Sequence, residues 1–176
     1  AEVEDLAKTV DNNGGVYFVP ALAGLGAPHW DQYARGAILG LTRGNNKGHL
    51  GRAALEGIAF QTMDVINAME ADSGIKIKEL HVDGGASANG LLMQLQSEAI
   101  GCPVVRPKQV ETTALGAAYL AGLAVGYWQD MEELHEQWQR DKIFKPRMDE
   151  VKINKYRRKW QKAVKKTRGW IDEDDG

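Results

Sequence analysis

Cysteine is nearly absent, and that absence already narrows the chemistry. Cys102 stands alone among 176 residues, so no internal disulfide can form and a reducing, cytoplasmic compartment is expected. No stretch approaches the roughly eighteen consecutive apolar residues of a membrane span, and no charged-then-apolar leader opens the sequence. The first residue is Ala1 rather than methionine, which leaves room for an upstream leader or domain. His29, His49, His81 and His135 share no ligand spacing with one another or with Cys102, so no metal site is expected. An excess of one charge is missing too: 22 Lys and Arg against 24 Asp and Glu give a net charge of -2, which excludes a polyanion binder at the level of the whole chain. Two familiar nucleotide motifs are also lacking. No Gly-Lys-Ser/Thr follows the glycines of a Walker loop, and the GxGxxG spacing of a dinucleotide fold does not occur where a strand meets a helix.

What is present reads as one α/β domain or most of one. "VYFVP" and "RGAILGLTRG" predict short strands, the first ended by Pro20 and the second within 35–42. A long helix is predicted over 52–71, with Leu55, Ile58, Ala59, Thr62, Ile66 and Met69 as its apolar stripe and Gly74 as its terminator. "IKELHV" predicts a strand, and 91–100 a helix with Leu92, Leu95 and Ala99 inward. "CPVVRP" predicts another strand. "TTALGAAYLAGLAVG" predicts a helix begun by Thr112 or Thr113, whose Gly116, Ala117, Ala121 and Gly122 keep its surface low enough to pack close to a sheet. Asp130 and Glu133 suggest a capping box for a helix carrying Met131, Leu134 and Trp138, and a basic helix with Tyr156, Trp160 and Val164 on one face follows.

The stretch "HVDGGASANGLLMQLQSEAIG" concentrates the chemistry. A strand that ends in glycines and runs into a helix brings bare backbone to a point where N–H groups converge, and such a point can hold a nucleotide closely. Gly84 and Gly85 remove the Cβ atoms that would hold a ligand away, Ala86, Ser87 and Ala88 keep the approach shallow, and Asn89 offers both a donor and an acceptor. The same letters also describe a tight strand-to-helix turn with Asn89 as helix cap, and the local pattern alone leaves both readings open.

"LHVDGGASAN" resembles the adenosine-binding motif shared by actin, hexokinase and the related sugar kinases. "GLGAPHWDQYARGAILGLTRG", "ALEGIAFQTMDVINAMEADSG" and "ETTALGAAYLAGLAVGYW" resemble the C-terminal region of the FGGY carbohydrate kinase family, from about Val16 to Trp170. The resemblance implies an α/β fold of the ribonuclease-H-like, actin/hexokinase ATPase type, incomplete at its N-terminal side. It implies residues 1–176 as a partial C-terminal domain, with a helical extension at 130–176. It further implies ATP or ADP with Mg²⁺ as cofactor, glycerol as the substrate of the complete enzyme, and a homo-oligomer, dimer or tetramer. By motif position Gly85 and Asn89 contact the nucleotide, while Gly84 and Ala86 line the same pocket. The family's phosphate loop, glycerol grip, aspartate base and magnesium-linked acid fall before Ala1, so no catalytic residue and no Mg²⁺ ligand is assigned here, and this stretch alone is expected to be inactive. Alternatives are another FGGY kinase acting on a pentulose or similar polyol, or a non-catalytic nucleotide-binding or assembly module.

Three further features stand out. "GLGAPHWD" is expected to be a structural turn with a buried Trp30, and Asp83 a loop organiser. The cations from Lys152 to Arg168 invite a nucleic acid or membrane reading, but Tyr156 and Trp160 among them favour an anchored amphipathic helix with solvated lysines, so neither partner is expected.

Overall fold

The computed structural model describes residues 2–109, 112–137 and 139–172. In chain order its elements are α1 (Glu2–Ala7), β1 (Tyr17–Val19), β2 (Ala37–Leu39), α2 (Lys47–Ser73), β3 (Leu80–His81), α3 (Gly90–Ile100), β4 (Val104–Pro107), α4 (Thr112–Ala124), α5 (Met131–Gln137), β5 (Arg140–Phe144) and α6 (Glu150–Thr167). β1 and β2 form an antiparallel pair. The second sheet has the order β3-β4-β5, with β4 parallel to β3 and antiparallel to β5. The segment expected to be helical therefore contributes a strand as well as α5 and α6. Trp138 lies outside the described residues.

α2 is the spine of the fold. It starts five residues earlier than its apolar stripe suggests, because Asn46 accepts the N–H groups of Gly48 and His49 while the His49 ring takes the Asn46 N–H. Gly74, left-handed at φ 70°, ends it as expected. Its buried face is Gly51, Leu55, Ala59, Met63 and Ile66, and Gly57 lets the helix lie so close to β1 that a Cβ there would strike the Phe18 carbonyl. That approach rotates the stripe: Ile58 and Met69, expected inward, are exposed. Buried Glu56 is held by Arg52 and Asn13, each at 2.8 Å; burial pushes its carboxyl above the ordinary value, and the two partners work against that.

α6 closes the core from the other side. Trp160 is wholly buried, stacks on Phe60 with centroids 5.5 Å apart, and donates its indole N–H to Asp64 at 2.7 Å. Ile153, Ala163 and Val164 bury beside it, and Lys152, Lys155, Arg158, Lys159, Lys162, Lys165 and Lys166 stay exposed. The anchored-helix reading is the arrangement observed.

Two further sequence expectations fail. Trp30 is not buried but 80% exposed, with φ 47°. The loop folds around its neighbour instead: the Asp31 carboxylate accepts the N–H groups of Tyr33, Ala34 and Gly169, and these bonds turn Trp30 outward. α4 does not pack close to a sheet. Among the described residues it makes no more than slight contact with any other element, and its Leu120 is 71% exposed, as is Val125 just past its end at 81%. Its one buried residue, Gly122, is covered by the Trp128 ring from the turn that follows, and the small residues Ala117 and Ala121 stay exposed.

Candidate functional site

The site grows from the short strand β3. Leu80 donates to the Pro103 carbonyl and Val82 to that of Val105, which ties the strand to β4 and ends the pairing at Asp83. Asp83 then turns outward and accepts the Thr112 hydroxyl from the first turn of α4, consistent with its reading as a loop organiser.

A single 3₁₀ turn, Gly85–Ala88, carries the chain into α3. Its entry residue Gly84 has φ 74° and ψ 173°, a conformation closed to residues with a side chain. Ser87 is buried and bonds twice to the Gly84 carbonyl, through its N–H at 3.0 Å and its hydroxyl at 2.7 Å. The Asn89 N–H closes on Ala86 at 3.1 Å. Arg106 of β4 donates to the Ser87 and Ala88 carbonyls at 2.9 and 3.3 Å. The turn is thus fixed on its inner side, and Gly85 and Ala86 are left exposed.

The two glycines differ in what they require. Gly84 needs its missing Cβ for backbone reasons. Gly85 has no positive φ, and a Cβ built on it meets no atom of the described residues within 4 Å. Neither its conformation nor packing among the described residues calls for glycine there.

Asn89 caps α3 by accepting the Leu92 N–H at 2.9 Å, and its NH₂ has no acceptor among the described residues. The neighbouring Leu91 N–H is taken by the Glu4 carboxylate at 3.0 Å, so α1 also caps α3. A hydrogen bond from Lys8 holds the Glu4 carboxyl below the ordinary glutamate value, and the Leu91 bond adds to this while burial opposes it.

All four residues singled out in the sequence, Gly84, Gly85, Ala86 and Asn89, lie on this one turn. Sequence reasoning missed Arg106 and Glu4, which reach it from β4 and α1. Neither carries a local signal. Beyond Thr112 a mostly apolar cavity of about 620 Å³ opens between α4 and α5, lined by Pro107, Leu115, Tyr119, Leu123, Met131 and Leu134. Among the described residues no group of three or more His, Cys, Asp or Glu is placed to hold a metal ion, and no helix is long and apolar enough to cross a membrane.

Residues 1–125, the turn included, match the C-terminal domain of the FGGY family of carbohydrate kinases. The chain belongs to that family. It is 62% identical over 169 residues to the glycerol kinase of Parabacteroides distasonis, covering 96% of this chain and 34% of that protein. It is 56% identical over 174 residues to the glycerol kinase of Deinococcus radiodurans, covering 99% and 35%. The chain therefore spans about a third of the length of the curated relatives it matches. Among solved structures it resembles the Plasmodium falciparum glycerol kinase with ADP, at a TM-score of 0.85 and 38% identity over 94% of this chain and 33% of that one. The gluconate kinase of Lactobacillus acidophilus follows the same course at a TM-score of 0.71 and 30% identity, covering 94% and 32%. The ribonuclease-H-like ATPase fold expected from the glycine motif is thus the fold of this family fragment.

Proposed function

We propose that this chain is the nucleotide-binding C-terminal part of an enzyme that phosphorylates glycerol with MgATP, yielding sn-glycerol 3-phosphate and ADP. The observation that carries the reading is Gly85, a glycine without a conformational or packing reason, exposed on a turn that is otherwise fixed from within. A ligand pressed against the backbone supplies the missing reason. In this reading Gly85 and Asn89 contact the adenosine side of the nucleotide, Asn89 through the NH₂ that its capping role leaves free. Gly84 and Ala86 line the pocket. The 56–62% identity to glycerol kinases, against 30% to the gluconate kinase, favours glycerol over another polyol or sugar acid.

Phosphoryl transfer needs positioning and charge stabilisation more than covalent chemistry from the protein. This chain's share is positioning: a turn whose shape is set before the ligand arrives. Mg²⁺ would come with the phosphates and neutralise their charge; the turn itself offers no metal-ligating set. The domain reading goes with the function, residues 1–176 being part of the C-terminal FGGY domain and 130–176 its extension. A cytoplasmic dimer or tetramer belongs to the same proposal.

The test is ADP release by the complete enzyme with glycerol, a pentulose or gluconate as acceptor. Saturable turnover with glycerol is expected, and none with the 176-residue stretch purified free of host kinase. Preference for the pentulose or gluconate would replace the substrate, and no ADP release with any of the three acceptors would leave the non-catalytic reading.

A further inference from the structure

We infer that Arg106 is a positioning residue for the nucleotide, acting by clamping the 84–89 turn to the sheet; the inference rests on the reading of that turn as the nucleotide contact. Arg106 sits on the central strand β4 with its side chain only 17% exposed, lying against the Phe144 ring with Cζ 5.4 Å from the centroid. One nitrogen of its guanidinium donates to the two carbonyls that end the turn, Ser87 at 2.9 Å and Ala88 at 3.3 Å. The other two hold Asp141, through Nε at 2.8 Å and Nη2 at 2.7 Å. The strand register explains how the carboxylate arrives there. Arg106 pairs with Lys142 and Pro107 with Arg140, so Asp141 is the extra residue of a bulge in β5.

The planar guanidinium suits this task because it bonds in several directions at once while staying charged. With both carbonyls drawn toward Arg106, and the Ser87 and Asn89 N–H groups bonded within the turn, the face left for a ligand is Gly85 and Ala86. Releasing the carbonyls would leave a four-residue turn to be ordered by the ligand, and that ordering cost falls on nucleotide affinity. In the same reading the residues that grip glycerol lie outside this stretch, so glycerol binding should not register the change.

Steady-state kinetics of the complete enzyme test this with Arg106→Met, Arg106→Lys and Gly85→Val, each checked for folding by its melting curve. Arg106→Met should raise KM for ATP by about tenfold with KM for glycerol unchanged, the size expected when a charge-assisted contact is lost. Arg106→Lys keeps the charge and the stem over Phe144, and therefore folds. A single ammonium cannot reproduce the fork, so this variant should recover part of the ATP affinity but not all of it. Folded Arg106→Met and Arg106→Lys enzymes with normal KM for ATP, alongside a Gly85→Val enzyme that has lost it, would overturn the clamp and leave Arg106 a purely structural residue. Parallel rises in both KM values would overturn it as well, as a general loosening. Should Gly85→Val itself bind ATP normally, the reading of the turn fails, and this inference with it.

Discussion

Asn89 joins two roles in one side chain, and they can be pulled apart. Its Oδ1 caps α3, while its NH₂ has no acceptor among the described residues. Asn89→Ala should remove both, lowering stability by about 1 kcal/mol and weakening ATP binding roughly three- to tenfold in the complete enzyme. Asn89→Ser keeps a capping oxygen but has no amide to donate. Thermal melting should therefore recover in Asn89→Ser while ATP affinity, read by calorimetric titration, stays low; recovery of both would reduce Asn89 to a cap. These residues were legible in the sequence because everything that defines them is local: two glycines, three small residues and an Asx cap within six positions. Arg106 and Glu4 were not legible, since their partners lie 18 or 19 and 87 residues away and only the topology brings them together.

Elements were legible where their ends carry their own chemistry. α3 and the C-terminus of α2 are legible because Asn89, Gly101 and Gly74 punctuate them. β5 went unread: its "RDKIF" is largely exposed and shows its pairing only against β4. The exposed face of α4 has a similar cause, because small residues permit close packing without supplying the surface to pack on. α1 went unread as well, yet it makes an electrostatic contribution that can be tested. Folded Glu4 has a carboxyl pKa below the ordinary 4.5, chiefly through Lys8, so the folded state binds fewer protons than the unfolded state in acid. Its contribution is complete above the ordinary value and is lost as pH falls through the folded value. Glu4→Gln keeps an acceptor for Leu91 and removes only the charge, at a cost of about 0.3–1 kcal/mol near neutrality for a carboxylate at a helix N-terminus. The melting-temperature gap between the two proteins should be flat from neutral down toward pH 4.5 and close below it. A gap that persists or widens in acid would show that the charge contributes nothing.

At the scale of the whole molecule, a core built on α2 and α6 holds a small sheet, and the sheet presents one shaped turn at its edge. Neighbouring contacts tie that turn down on its inner side: Ser87 to Gly84, Arg106 to two carbonyls, and Asn89 and Glu4 to the start of α3. What remains open is Gly85, with Ala86 beside it. The account stands on that residue being glycine for the sake of a nucleotide, so the most direct measurement is the dissociation constant for ATP of the complete enzyme carrying Gly85→Val, taken together with its melting temperature. Because an added Cβ meets nothing in the described residues, the variant should melt close to the unsubstituted enzyme. Its branched side chain should exclude the ligand and weaken ATP binding by more than about tenfold, beyond what a single lost hydrogen bond explains. A folded Gly85→Val enzyme with normal ATP affinity would contradict the account.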